Sequence, residues 1–279
     1  MFGDNRKVTT LAAWVSVDSQ RPSACYLVSD SRISWPAKEA WDFGQKLFVC
    51  SRFPDIFGYC GDVQFPTLAL RQVLDRIEQG LLFHSAAGST ERNLKITEEL
   101  QAAYRQYPAH GSELSTILHF ARDGDGKNAS FQLWRIDWSK ASSIQSTRLN
   151  LPDTSVLGIT LGSGWKVLID RSEEWRKAQG RTARGVFSSF CDAISSGEDP
   201  RSGGPPQLVG LYPRGPGRLF GVVLNGQRYL AGASVPNDSN LDEFEWRNCL
   251  FERMDPRTLR RLDAAQPQPR PTLPDRRTS

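Results

Sequence analysis

The chain has 279 residues and carries 35 lysines and arginines against 31 aspartates and glutamates, a formal charge of +4. Seven of the arginines and three of the aspartates lie between Arg253 and Ser279, which leaves 28 charges of each sign in residues 1–252 and a neutral body unlike that of a nucleic-acid binder. With 39% hydrophobic residues and 23 glycines the composition is that of a globular protein with room for a sizeable core, which excludes wholesale disorder and the fibrous classes.

In chain order, Val8–Val17 is rich in β-branched and apolar residues and predicts a strand; Arg21-Pro22 predicts a turn and Ala24–Ile33 a second strand folding back on the first. Lys46–Cys50 and Asp55–Cys60 predict two more, parted by Arg52-Phe53-Pro54. The period then changes. Leu70, Val73, Leu74, Ile77 and Leu81 recur at helical spacing, as do Ile96, Leu100, Ala103, Tyr104 and Tyr107 up to Pro108. Strands return at Ser115–Phe120 and Ser130–Trp138; the intervening Asp123-Gly124-Asp125-Gly126 reads as a hairpin turn, since the later ligands of a calcium loop are missing. Ile144–Leu151 and Val156–Leu161 are two further strands. A second helical pair follows, with Trp165, Leu168, Ile169 and Ser172 on one face and Trp175 off it, then Ala183, Val186, Phe187, Phe190, Cys191 and Ile194. Gln207–Tyr212 and Arg218–Ala231 predict closing strands, Leu241–Arg261 an amphipathic helix, and the proline-rich Gln266–Pro274 a solvated tail.

Blocks of strands followed by helix pairs predict a single α+β domain, a four-layer α/β/β/α sandwich with two sheets face to face and helices outside. No apolar run approaches the roughly 18 residues of a membrane span, and Met1 to Val8 lacks the apolar block of a secretory signal, so a cytoplasmic location is expected. Cys25, Cys50, Cys60, Cys191 and Cys249 are odd in number and form no C-x-x-C pair, which predicts reduced thiols.

The common catalytic motifs are absent. His84, His110 and His119 are scattered and no H-E-x-x-H occurs, so no metal is expected; the segment around Lys127 lacks the pattern of a phosphate loop, so no cofactor is expected. Leu161 stands where a nucleophile elbow needs glycine. What remains is an ordered set of hydroxyls, carboxylates and one lysine: Thr9-Thr10 opening the first strand, Asp30-Ser31-Arg32 closing the second, Lys46 opening the third, Gly61-Asp62 ending the fourth, Gly162-Ser163-Gly164 before a helix, and Asp199-x-x-Ser202-Gly203-Gly204 before a strand. A rival to the last, Asp192-x-x-Ser195, falls inside the helical pattern.

In this order and spacing the chain resembles the proteasome β-subunit family, including the bacterial proteasome-like peptidases, from about Thr9 to Gly232. The resemblance implies an N-terminal-nucleophile (Ntn) hydrolase domain over residues 9–235, preceded by a propeptide at 1–8 and followed by a helical extension at 236–262 and a disordered Pro/Arg-rich tail at 263–279. It implies a threonine peptidase. Thr9 would be nucleophile with its own α-amine as base; Lys46, fixed by Asp30, would favour the alkoxide; Gly61 N–H would donate to the oxyanion; and Ser163, Asp199 and Ser202 would hold the amine. A polypeptide substrate, a homo-oligomeric ring and an ATP-dependent unfoldase are the partners it implies.

The sequence departs from the family at the residue before Thr9. Propeptides of the family are usually cut after glycine, whereas Val8 is stiff and disfavours positive φ. Two other readings therefore stay open: a non-catalytic proteasome-type ring or scaffold subunit, and a small-molecule amide hydrolase of the same superfamily.

Overall fold

β1 (Thr10–Val17) and β2 (Pro22–Ser29) form an antiparallel pair in which Leu11 faces Ser29 and Val15 faces Cys25. The computed structural model describes residues 9–18, 21–35, 39–108, 114–140 and 142–271. A ribbon of β3 (Ile33–Ser34) and β4 (Ala40–Trp41) precedes β5 (Leu47–Val49) and β6 (Asp55–Cys60). Helices α1 (Gln64–Glu78) and α2 (Ser89–Gln106) follow, then β7 (Ser115–Asp123), β8 (Ser130–Ser139), β9 (Ser142–Leu149) and β10 (Leu157–Gly162). After α3 (Trp165–Gln179) and α4 (Ala183–Ser196) come β11 (Gln207–Leu211), β12 (Arg218–Leu224), β13 (Gln227–Leu230), β14 (Ala233–Ser234), β15 (Glu245–Asn248) and β16 (Arg253–Met254).

Two sheets organise these strands. A nine-stranded sheet runs β10-β1-β2-β11-β12-β13-β14, with β15 added parallel to β12 and β16 paired to β15; a five-stranded sheet runs β5-β6-β7-β8-β9. Alternation along the strands sends Leu11, Ala13, Val15, Leu27, Val209 and Leu211 of the first sheet against Leu47, Ile56, Leu118 and Phe120 of the second. The opposite face of the nine-stranded sheet carries Ala12, Trp14, Val28 and Leu208 against Phe187 and Phe190 of α4, and the opposite face of the five-stranded sheet packs Phe57, Tyr59 and Ile117 against Leu70, Leu74, Ile96 and Leu100 of α1 and α2. Each of the larger apolar side chains removed from water contributes roughly 1.5–3 kcal/mol before chain entropy is counted.

A buried polar chain fixes α2 to the five-stranded sheet. Arg92 Nε lies 2.8 Å from Asp55 Oδ2, and His119 Nε2 lies 2.8 Å from Asp55 Oδ1. Ser146 Oγ donates to Asn93 Oδ1 at 2.8 Å, so the Asn93 amide nitrogen faces His119 Nδ1 at 3.0 Å as donor, which leaves the ring N–H on Nε2 for Asp55.

The expected four-layer α/β/β/α sandwich is corrected to a sheet-rich fold, with 35% strand against 26% helix. The surplus comes from the β3–β4 ribbon and from β14 to β16, which continue one sheet beyond the expected elements. The helix expected over Leu241–Arg261 is replaced by β15 and β16, because Trp246 and Met254 are drawn into a small core with Leu241 and Val223 and the backbone forms sheet bonds to β12 and between β15 and β16 in place of helical ones. Nor is 263–271 a free tail. Gln268 is buried, its side-chain amide donating to Ser188 Oγ at 2.9 Å and its backbone N–H to Glu252 Oε1 at 2.7 Å, while Arg270 pairs with Asp192 at 2.9 Å. Trp175, expected off the packed face of its helix, is buried with Nε1 donating to Asp192 Oδ2 at 2.8 Å. Residues 1–8, His110 and 272–279 lie outside the described residues.

Candidate active site

Strand ends bring the polar set together. Thr10 opens β1 opposite Gly162, the last residue of β10, and Thr9 stands just before it. Asp30 follows the last residue of β2, the strand on the other side of β1. Lys46 comes from the facing sheet, immediately before β5. The three side chains therefore meet where the two sheets face each other, and all are buried.

Lys46 Nζ has three N–H donors and uses each of them: Thr9 Oγ1 at 2.8 Å, Asp30 Oδ1 at 2.9 Å and the Arg32 carbonyl at 2.5 Å. An ammonium can only donate, so Thr9 Oγ1 is the acceptor and keeps its own proton for another base. Asp30 is equally saturated. Its Oδ1 also accepts from Thr10 N at 3.0 Å, and its Oδ2 accepts from Arg32 N at 3.1 Å and Gly203 N at 3.0 Å. A buried ion pair is tolerable only when its remaining hydrogen-bonding capacity is filled in this way.

A second chain of bonds reaches the same residues from the other side. Ser163 N donates to the Thr9 carbonyl at 2.8 Å. Its Oγ donates to Asp199 Oδ2 at 2.5 Å, and Ser202 Oγ donates to the same oxygen at 2.7 Å. With its proton committed, Ser202 Oγ has only lone pairs for Thr10 Oγ1, 2.7 Å away, so Thr10 is the donor. The rival Asp192 is occupied by Trp175 and Arg270 and plays no part here.

Backbone shape makes room for this crowding. Gly162 has φ 93°, and a Cβ on it would lie 1.7 Å from the Thr9 carbonyl oxygen; a Cβ on Gly164 would lie 2.1 Å from Thr10 Oγ1. Thr9 itself has φ 107°, an uncommon and strained value for a β-branched residue. Gly61 follows β6 with φ 110°, and the thiol of its neighbour Cys60 would stand 3.1 Å from a Cβ on Gly162, which sets the end of β6 beside the Thr9 segment. Of the seven sequence-predicted residues, Thr9, Asp30 and Lys46 are in direct contact; Ser163, Asp199 and Ser202 form a linked group that touches Thr9 through its carbonyl and Thr10 through its hydroxyl; Gly61 is placed through its neighbour.

Thr10, Arg32 and Gly203 lie within the motifs read from the sequence but are assigned no role there, and Gln207 is not singled out at all. Arg32 makes a two-pronged pair with Asp42, at 2.7 and 2.8 Å, and donates to the Pro200 carbonyl at 3.0 Å, tying the β3–β4 ribbon to the loop that carries Asp199 and Ser202. Hydrogen bonding to Asp42 raises the Arg32 pKa and, reciprocally, holds the Asp42 carboxyl below its ordinary value. A cavity of about 830 Å³ lies elsewhere, lined by Phe220, Leu241 and Trp246, with Arg257 paired to Asp242 and Arg253 to Glu245 at its wall.

No protein-family model matches the chain, and no curated protein matches it in sequence. Among solved structures it is similar to the Gly-1 mutant of Anbu from Hyphomicrobium sp. strain MC1, with a TM-score of 0.52 and 10% identity over 81% of this chain and 87% of that one. The likeness is one of fold and supports a proteasome-like fold for this chain. No helix among the described residues is long and apolar enough to cross a membrane.

Proposed function

We propose that the chain is a proteasome-like threonine peptidase that works once residues 1–8 are removed and Thr9 carries a free amine. The observation that carries this reading is the 2.8 Å contact between Lys46 Nζ and Thr9 Oγ1, with Asp30 fixing the lysine. The Thr9 amine, of the class whose ordinary pKa is about 7.7–8.0, takes the hydroxyl proton while Oγ1 bonds to the substrate carbonyl carbon. The positive charge of Lys46 stabilises the developing alkoxide. The Gly61 N–H serves as oxyanion donor, a kind of contact whose loss costs roughly 3–4 kcal/mol. Collapse breaks the peptide bond, the leaving amine takes the proton from the Thr9 ammonium, and water then hydrolyses the acyl ester. Ser163, Asp199 and Ser202 hold the Thr9 segment and relay protons. A self-assembled ring belongs to the same reading, and folded substrates would require an ATP-dependent unfoldase.

A non-catalytic ring subunit is the second reading. It is favoured by the burial of Thr9, 1% exposed in the full chain, whose nitrogen there is an amide. Mass spectrometry of the purified protein combined with fluorogenic peptide hydrolysis separates the two. An N-terminus at Thr9 and turnover abolished by Thr9→Ala are expected for the peptidase. Assembled protein that retains residues 1–8 and cleaves nothing would overturn it.

A further inference from the structure

β11 presents residues 207, 209 and 211 to the space between the sheets. Val209 and Leu211 fill it as apolar residues should, but position 207 is a glutamine, 1% exposed. A polar side chain at such an inward position is costly unless its hydrogen bonds are made. Gln207 makes them all, and their endpoints are specific. Oε1 accepts from Lys46 N at 3.0 Å and Leu47 N at 3.4 Å. Nε2 donates to the Asp30 carbonyl at 3.2 Å, Ser31 Oγ at 2.9 Å and the Gly44 carbonyl at 2.8 Å. Ser31 Oγ can accept because its own proton goes to the Pro205 carbonyl at 2.6 Å.

We infer that Gln207 is a positioning residue, one amide that locks the backbones of Asp30 and Lys46 together across the two sheets and thereby sets the Lys46–Thr9 contact. The two backbones are 16 residues apart in the chain, and the segment between them includes the β3–β4 ribbon with Trp35 and Trp41 about half exposed. The Gly44 N–H donates to the Ser31 carbonyl at 2.9 Å and closes that segment on itself. The glutamine reaches over it. Its register is set independently by β11 pairing, where Gln207 lies opposite Ser29, the residue before Asp30. A displacement of about 1 Å in a catalytic group can cost on the order of 10²-fold in rate. The effect on catalysis rests on the reading of Thr9 as nucleophile; the effect on Lys46 does not.

The test is therefore made on two readouts. Gln207→Leu matches the apolar neighbours and removes every bond; Gln207→Glu keeps an acceptor for Lys46 N–H but loses the donors toward Asp30 and Gly44, and serves if the leucine variant does not fold. In protein beginning at Thr9, kcat for peptide hydrolysis is expected to fall about 10²-fold with KM little changed and with a displaced pH profile. In the same samples the ¹⁵N-labelled Lys46 ammonium, a slowly exchanging resonance when held by three acceptors, is expected to shift or vanish. Should the wild type hydrolyse no peptide, the nucleophile reading fails while the Lys46 resonance still decides the role of Gln207. A cooperatively folded variant with wild-type kcat and an unmoved Lys46 resonance would overturn the inference.

Discussion

Lys46 Nζ bonds Thr9 Oγ1 and Asp30 Oδ1 at once, at 2.8 and 2.9 Å, with the lysine and the aspartate side chains fully out of solvent. Removing one member of such a pair strands the other. Lys46→Met leaves the Asp30 carboxylate with backbone partners only, and Asp30→Asn turns an amide NH₂ toward donors whichever way it flips. Each is expected to cost about 3–5 kcal/mol in urea unfolding, and the double variant less than the sum by at least about 1 kcal/mol. Additive losses would show that the two do not depend on each other.

Two glycines of positive φ are expected to respond differently to alanine. Gly197 caps α4 with open space around it, so Gly197→Ala pays only the left-handed backbone cost, about 1–2 kcal/mol. Gly162→Ala must also displace the Thr9 carbonyl, and a loss of at least about 3 kcal/mol is expected. Equal losses in thermal or urea unfolding would contradict the close approach of β10 to Thr9.

Much of this arrangement was legible before the fold. Thr9, Asp30 and Lys46 stand at strand ends that period-2 patterning locates, and the helices over α1, α2 and α4 announce themselves by spacing. Less legible was anything decided by long-range pairing. Leu241–Arg261 has an amphipathic pattern, yet its backbone adds to β12, a choice that depends on a strand some 20 residues away. Trp175 looked misplaced because its partner is Asp192 on the next helix, not an apolar face. Gln207 did carry a local signal, a polar residue in step with Val209 and Leu211, but its meaning required knowing that Lys46 lies across from it. Gln268 and Arg270 show the same limit, since proline content says nothing of Ser188 and Asp192 on α4, to which they bond.

The Arg32–Asp42 pair carries a pH dependence. Because hydrogen bonding to Arg32 holds the folded Asp42 below its ordinary value, its stabilisation is present above the unfolded carboxyl pKa of about 3.9 and disappears as pH falls through the lower, folded value. Asp42→Asn should therefore be destabilised relative to wild type at pH 7, by about 1 kcal/mol or less given the pair's exposure to solvent, and the difference should narrow as pH falls below about 3.9. A gap in urea midpoint that stays constant with pH would contradict this.

The cysteines should separate by reactivity. A hydrogen bond from Cys191 and the nearby Arg270 charge lower the Cys249 thiol, whereas burial raises Cys25 and Cys191 well above their ordinary value and pushes Cys50 up to about 12. Iodoacetamide at pH 8 is expected to alkylate Cys249 ahead of those three in native protein, with the order lost in urea. Peptide mapping that finds Cys25 or Cys191 modified as fast as Cys249 would contradict it.

The nucleophile itself is tested most directly by trapping. Protein beginning at Thr9 is incubated with a peptidyl β-lactone, which acylates an activated hydroxyl, and the modified residue is located by mass spectrometry. A single acyl group on Thr9 Oγ1, absent from the Lys46→Met variant, is the predicted result; no adduct, or one carried by Thr10 or Ser163 instead, would contradict the account.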